Sequence, residues 1–241
     1  MLSRDNVIDT SLMNHVLSVD AEKRRIIVEP NVSMERLVEA TLEYGLLPPV
    51  VMEFPAITVG GGFAGTAGES SSFKHGLFDK TVTSVEMVLA DGEVVKASES
   101  ERTDLLHAAA GSFGTFGVIT SLELFLIPAK PYVKLTYTPV DGMGYAVSEI
   151  ERSTADSEID YLEGIMFAAN RGMIITGRLT DVRDPKLDCP RFTRAQDEWF
   201  YLRAEGILHN ELDAFQDIVP IRDYLFRYDR GAFWAGKYAF K

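Results

Sequence analysis

A glycine-rich segment at residues 58–76, called here the glycine segment, carries the residue types most suited to binding chemistry. Six of its nineteen residues are glycine, and threonine and serine add hydroxyl groups. Glycine lets the backbone approach a ligand closely, and backbone amides can meet anionic oxygens without help from Lys or Arg. The segment therefore predicts a cradle for a nucleotide or a flavin, with a tight irregular turn as the alternative.

Two common phosphate-binding motifs do not describe the glycine segment. The Gly-Lys-Ser/Thr ending of a Walker loop is absent. Gly60, Gly62 and Gly65 match the spacing GxGxxG, but no amphipathic helix follows them, as a dinucleotide-binding fingerprint requires. We therefore predict a backbone-dominated loop that is neither strand nor helix.

Overall composition excludes several classes of function. The 24 basic and 36 acidic residues give a net charge of −12, which argues against binding to nucleic acid. The single cysteine, Cys189, excludes an intrachain disulfide, and the four scattered histidines predict no metal site. No signal peptide and no apolar run of about 20 residues is visible, so we expect no transmembrane segment and a cytoplasmic location.

Short strands and helices surround the glycine segment. Alternating apolar residues predict one hairpin over 16–29 and a second over 83–97, the latter turning at Asp91-Gly92. A helix is predicted after Ser33, and another over 104–110. A second glycine segment, Gly111–Gly117, then precedes a long strand that Pro128 ends.

The pattern changes after Pro131, which predicts a domain boundary there. Strands are predicted near 132–137, 161–167 and 173–179, with a helix over 144–153, and the chain from 196 is rich in aromatic residues. These aromatic residues could form a core, line a pocket, or contact a partner chain or a second copy. We predict two domains, at 1–130 and 131–241.

The order of these motifs resembles a known family of flavoproteins. The motifs are Thr58-Val59-Gly60-Gly61, Gly65 and Gly68, Leu89-Ala90-Asp91-Gly92, and the run from Gly111 to Thr120. In that order they are similar to the second half of the flavin-binding domain of the vanillyl-alcohol oxidase and p-cresol methylhydroxylase (PCMH-type) superfamily. The runs Gly65–Ser72 and Ile127–Leu135 resemble the Δ24-sterol reductase family within it.

The resemblance implies a fold, a cofactor and a reaction. It implies the second half of a PCMH-type FAD-binding domain, without its first pyrophosphate loop, followed by a partial α+β substrate domain, so the chain is expected to be truncated at both ends. FAD, with NADPH as electron donor, would reduce a C=C bond of a lipophilic, sterol-like or terpenoid-like substrate. The implied FAD-binding residues are Thr58, Val59, Gly60, Gly61, Gly65, Thr66, Gly68, Ser70 and Ile119. No catalytic residue is implied.

Two other functions remain open at this point. A descendant of the scaffold without flavin could bind a small hydrophobic molecule and catalyse a redox-neutral cyclisation or isomerisation. Alternatively, the protein could be a non-catalytic chain that completes a split enzyme. A homodimer is also consistent with the sequence.

A few polar side chains are candidate proton donors. Lys74 or His75 could serve near a flavin, although a surface pair is the alternative. Glu163, two residues from Tyr161 on a predicted strand, could be an acid, and an exposed strand face is the favoured alternative.

Overall fold

The computed structural model describes residues 7–210 and 214–230. These residues form two compact units, which are described separately. Unit 1 comprises 7–49, 56–67 and 77–128, and unit 2 comprises 50–55, 68–76 and the described residues from 129 onward. The α+β fold class is as predicted.

Unit 1 is built on a five-stranded antiparallel sheet. Its strands are β1 (Val16–Asp20), β2 (Arg25–Val28), β4 (Val82–Val88), β5 (Val94–Ser98) and β6 (Val118–Phe125), in the order β1-β2-β6-β4-β5. A two-stranded ladder pairs β3 (Leu46–Leu47) with β7 (Ile127–Pro128). Its helices are α1 (Met34–Leu42), α2 (Val59–Ala64) and α4 (Thr103–Ala109).

Alternation and capping explain most of unit 1. Ile26 and Val28 are fully buried on one face of β2, as a half-buried strand requires. Ser33 caps α1 by accepting a hydrogen bond from the Arg36 amide at 3.2 Å. Both predicted hairpins are confirmed, and Gly92 has the positive φ (88°) that the tight turn requires.

Unit 2 contains a four-stranded antiparallel sheet in the order β11-β8-β10-β9. Its strands are β8 (Tyr132–Val140), β9 (Tyr161–Ala168), β10 (Arg171–Thr180) and β11 (Phe215–Pro220), and its helices are α3 (Ser72–His75), α5 (Met143–Thr154), α6 (Phe200–Asn210) and α7 (Ile221–Leu225). The central pair, β8 and β10, stays in register over nine residue pairs. The predicted strands of this region and the helix over 144–153 are confirmed.

One local prediction was wrong. The glycine segment is not free of regular structure, because α2 and α3 lie within it. The aromatic-rich chain after 196 forms α6, β11 and α7. Four of its described aromatic residues are core rather than partner contacts, since Phe200, Tyr224, Phe226 and Tyr228 are at most 2% exposed. The aromatic residues after 230, also proposed as partner contacts, lie outside the described residues.

Two short segments from the first half of the chain belong to unit 2. The contiguous domains predicted at 1–130 and 131–241 place 50–55 and 68–76 in the first domain, whereas both segments pack in unit 2. The glycine segment is thus divided after Ala67. The assignment of the two parts to cofactor and substrate stays a prediction.

Candidate functional site

Five of the predicted cofactor-binding residues lie in helix α2 or cap one of its ends. Thr58 begins the helix, and its hydroxyl oxygen accepts a hydrogen bond from the Gly61 amide at 3.1 Å. The Gly60 amide donates to the Pro30 carbonyl at 2.8 Å. A Cβ at Gly60 would lie 2.7 Å from the Pro30 Cβ, so only glycine allows this close approach. The first turn of α2 is therefore fixed against the rest of unit 1.

The backbone donors of this stretch are largely engaged within the protein. The amide of Val59 donates to Val32, Gly62 to Thr58, and Gly65 to Gly61, each through the carbonyl oxygen. The Thr66 and Ala67 amides donate to Phe63 and Gly62. The expectation that these amides are free to meet anionic oxygens was wrong, because they already donate to carbonyl oxygens of the protein, some within α2 and others at Pro30 and Val32.

What α2 offers a ligand is a bare surface. Gly61 and Gly65 are exposed one helical turn apart, whereas Gly60 and Gly62 are buried. Because neither exposed glycine has a side chain, a flat group can contact the backbone directly. The residues present therefore fit the planar flavin ring of FAD better than they fit the charged pyrophosphate of FAD.

The second glycine segment packs beside the end of α2. The Gly111 amide donates to the Phe63 carbonyl at 3.2 Å, and the Phe113 amide donates to the Ala64 carbonyl at 3.1 Å. A Cβ at Gly111 would approach the Thr66 methyl group to 3.1 Å. The structure thus brings together two segments that the sequence separates by more than 40 residues.

This neighbourhood carries signs of a binding surface. The Phe113 and Phe116 side chains are 84% and 50% exposed. Thr66 has a φ of 49°, which is uncommon for a β-branched residue, and its hydroxyl group donates to the Gly65 carbonyl at 2.8 Å. Exposed aromatic rings and a strained backbone occur together at many ligand sites.

Ile119, the last predicted FAD contact in unit 1, lies near the start of β6. It is half-buried and lies opposite Met87 of β4. The pairing of these strands is irregular beside it, where Thr120 has no partner in the register. The Thr120 hydroxyl group instead donates to the Glu86 carboxylate at 2.7 Å.

Gly68 and Ser70 belong to unit 2. Gly68 is exposed and Ser70 is buried. The Ser70 Oγ is 3.1 Å from the Tyr224 hydroxyl group, and its carbonyl accepts a hydrogen bond from the Leu162 amide of β9 at 2.8 Å. This end of the glycine segment is therefore fixed to β9 and to α7.

Three charged residues of unit 2 form a buried ionic cluster: Arg227, Glu69 and Glu163. The Arg227 side chain is 1% exposed, and its Nη2 and Nε donate to Glu69 at 3.0 Å and to Glu163 at 2.9 Å. The Tyr228 hydroxyl group donates to Glu163 at 2.6 Å. The favoured view of Glu163 as an exposed strand residue was wrong, because its side chain is 13% exposed.

Sequence reasoning missed Glu69 and Arg227 because they are 158 residues apart. Nothing in the spacing of the chain indicates that they meet. The signal available was a charged residue within an otherwise small, uncharged run, Gly65-Thr66-Ala67-Gly68-Glu69-Ser70-Ser71-Ser72.

Burial shifts the pKa values of the acidic groups in and around this cluster. Burial raises the pKa of Glu163, although Arg227 opposes the shift. The pKa of Glu53 is also raised, first by burial and then by the negative charge of Glu69. The pKa of Tyr228 is well above its ordinary value because of burial and the neighbouring Glu163.

The other two candidate proton donors are Lys74, which makes structural contacts, and His75, whose pKa is shifted. The Lys74 ammonium group donates to Asp160 and to the Ser157 carbonyl, each at 2.9 Å, which ties α3 to the start of β9. The pKa of His75 is lowered by burial and by Lys74. Within the described residues, no group of three His, Cys, Asp or Glu side chains is placed to hold a metal ion.

Comparison with known proteins identifies the family of the first part of the chain. Residues 2–98 match the family described as an FAD binding domain. The matched stretch includes all of α2 and the predicted binding residues up to Ser70.

The similarity to individual proteins extends further along the chain. The chain is 36% identical over 220 residues to the Δ24-sterol reductase of Homo sapiens, and the match covers 91% of this chain and 42% of that protein. It is 34% identical over 244 residues to the Δ24-sterol reductase of Pisum sativum, covering 95% and 43%. Cytokinin dehydrogenase 9 of Oryza sativa subsp. japonica is 31% identical over 139 residues, covering 57% of this chain and 27% of that protein.

These relatives are longer than the chain. It spans less than half the length of the two Δ24-sterol reductases. Among the described residues, no helix combines the length and the apolar character that a membrane crossing needs.

Proposed function

We propose that the protein is an FAD-dependent oxidoreductase that reduces a C=C bond of a lipophilic, sterol-like substrate. The similarity of more than nine-tenths of the chain to Δ24-sterol reductases carries this proposal. The match of residues 2–98 to the FAD binding domain supports the choice of cofactor.

The residues that would hold FAD are those that the resemblance implied. They are Thr58, Val59, Gly60, Gly61, Gly65, Thr66 and Ile119 in unit 1, and Gly68 and Ser70 in unit 2. Thr58 and Gly60 act by fixing the first turn of α2, through the capping bond and the contact with Pro30. Gly61 and Gly65 supply backbone that a planar group can contact.

When bound, FAD would supply the hydride that reduces the double bond, and a protein acid or water would supply the proton. The chain's own groups bind and orient the reactants and exclude water. The exposed Phe113 and Phe116 rings are suited to covering a planar ligand and excluding water from it. Ser70 is held in place by Tyr224 rather than left to rotate.

Other features of the proposal follow from the resemblance. NADPH would reduce the cofactor, and the substrate would be sterol-like because two of the relatives named above are Δ24-sterol reductases. A cytoplasmic location and a homodimer or partner chain also remain part of the proposal.

The test uses a sterol with a side-chain Δ24 double bond, added to FAD-loaded protein with NADPH. We expect a product two hydrogen atoms heavier by mass spectrometry, and none from the sterol with a saturated side chain. Bound FAD without reduction of the sterol would contradict the substrate class. Conversion of a hydrophobic substrate without flavin or NADPH would contradict the redox reaction and favour a cyclisation or isomerisation.

A further inference from the structure

The buried ionic cluster of unit 2 has one guanidinium group at its centre. Arg227 uses Nε for Glu163, Nη2 for Glu69 and Nη1 for the Tyr224 carbonyl at 3.0 Å. Every nitrogen of the guanidinium group is therefore committed to a different acceptor. A fork of this kind fixes the relative positions of the chain segments that it joins.

Aromatic rings enclose the same guanidinium group. Its central carbon lies 4.3 Å from the Tyr224 ring centroid, 4.9 Å from that of Tyr228 and 5.5 Å from that of Phe200. These distances are within the range of cation–π attraction. The rings hold Arg227 in one place, so the carboxylates that bind it are held as well.

Glu69 passes this constraint on to the glycine segment. Its carboxylate accepts a hydrogen bond from the Ser70 amide at 2.7 Å as well as from Arg227. The Glu69 amide donates to the Ser72 hydroxyl group at 2.9 Å. Hydrogen bonds of both the carboxylate and the amide of Glu69 thereby fix the backbone from Glu69 to Ser72.

The opposite side of the cluster is a rigid strand. Glu163 lies on β9, where it is paired in register with Ile175 of β10. The neighbouring Leu162 amide donates to the Ser70 carbonyl at 2.8 Å. Arg227 thus joins the end of the glycine segment to a strand that is itself held in the sheet.

We propose that Arg227 is a positioning residue for cofactor binding, which acts through Glu69 to fix the backbone of Gly68–Ser70. It would do so without touching the cofactor. The inference rests on the proposed function, because Gly68 and Ser70 are residues that the proposal assigns to FAD. A purely structural role would lower the stability of unit 2 and leave the conformation of this stretch unaffected in the folded protein.

A second buried ion pair in unit 2 provides a matched control. Arg203 of α6 binds Asp217 of β11 through two contacts of 2.7 Å, and Asp217 is fully buried. Neither of these residues contacts the glycine segment in the hydrogen bonds described. Arg203 itself is 18% exposed, so it is the less buried of the two arginines. The substitutions Arg227→Met and Arg203→Met both remove a guanidinium group that binds a buried carboxylate of unit 2, and only the first releases Glu69.

The first measurement is hydrogen exchange of the amides of 68–76 in the protein without cofactor. We expect these amides to exchange faster in Arg227→Met than in Arg203→Met, compared at equal margins below each melting temperature. Equal exchange in the two variants would overturn the inference, whether or not the protein binds FAD. Glu69→Gln, which keeps the side-chain shape, replaces Arg227→Met if the latter does not fold, and the same expectation applies.

The second measurement is the affinity for FAD, by titration of flavin fluorescence. We expect Arg227→Met to bind FAD about tenfold more weakly, equivalent to ~1.4 kcal/mol, and Arg203→Met to bind like the wild type. Equal losses in the two variants would overturn the inference while leaving the proposed function intact. A wild-type protein that binds no FAD would contradict the proposed function and the cofactor role of Arg227 together, and hydrogen exchange would still decide whether Arg227 fixes Gly68–Ser70.

Discussion

At the scale of single residues, the protein combines bare glycine backbone with a few buried charges. In α2, the buried Gly60 is required by packing against Pro30, and the exposed Gly61 offers backbone to a ligand. In unit 2, Arg227 is surrounded by more carboxylates than it can neutralise, since Glu69 and Glu163 contact it and Glu53 lies within the influence of their charges. Glycine therefore shapes the proposed binding surface, and the charges fix one end of it.

Replacing Glu53 with Gln should change how stability depends on pH. The pKa of Glu53 is raised in the folded protein, so ionising it there costs more than ionising it in the unfolded chain. Its contribution is fully present below the ordinary pKa of a carboxyl group and is lost as pH rises through the folded pKa. Glu53→Gln should therefore become progressively more stable than the wild type as the pH rises from about 4 to about 7.

Melting temperatures of both proteins across this pH range provide the measurement. The difference between them removes the effects of carboxyl groups that do not interact with Glu53, because these are common to both proteins. A difference that stays constant with pH would show that Glu53 ionises as easily in the folded protein as in the unfolded chain.

Replacing Gly60 with Ala tests the close approach of α2 to Pro30. The new Cβ would lie 2.7 Å from the Pro30 Cβ and 3.0 Å from its carbonyl oxygen. We expect a loss of about 1–3 kcal/mol in the free energy of unfolding, which is typical of overpacking. Gly144→Ala is the control, because a Cβ there meets nothing within 4 Å and alanine favours the helix α5. Denaturant unfolding in which both substitutions are neutral would contradict the described contact.

At the scale of elements, the hairpins and α1 could be predicted because their determinants are local. Alternating apolar residues and Asp91-Gly92 specify β4 and β5, and Ser33 specifies the start of α1. Helix α2 could not be predicted, since glycine has a low helix propensity and the helix depends on bonds from Val59 to Val32 and from Gly60 to Pro30. The ionic cluster was missed for the same reason: its partners come from distant parts of the chain.

Two helix caps in unit 1 allow the role of α2 to be tested separately from stability. Thr58 caps α2 and Ser33 caps α1, each through its side-chain oxygen. Replacing either residue with Ala should cost about 1 kcal/mol in the free energy of unfolding. Only Thr58→Ala should also weaken FAD binding in a fluorescence titration, because only α2 is proposed to contact the cofactor. Equal FAD affinity in both variants would argue against contact between α2 and FAD.

At the scale of the whole molecule, the charge of −12 affects any anionic ligand. FAD carries a negative pyrophosphate group, and a protein with 36 acidic and 24 basic residues repels it at long range. Because salt screens this repulsion, raising the salt concentration from about 20 mM to about 200 mM should strengthen FAD binding or leave it unchanged. Titrations at both concentrations would check this, and a marked weakening by salt would instead indicate a cationic pocket for the pyrophosphate.

The proposed function and the cofactor role of Arg227 both depend on the binding of FAD by this chain. The direct measurement is to incubate the purified protein with FAD, remove free ligand by gel filtration, and record the visible spectrum together with a melting curve. We expect flavin absorbance to elute with the folded protein and FAD to raise the melting temperature. A protein that remains folded but colourless, with a melting temperature unaffected by FAD, would contradict this expectation.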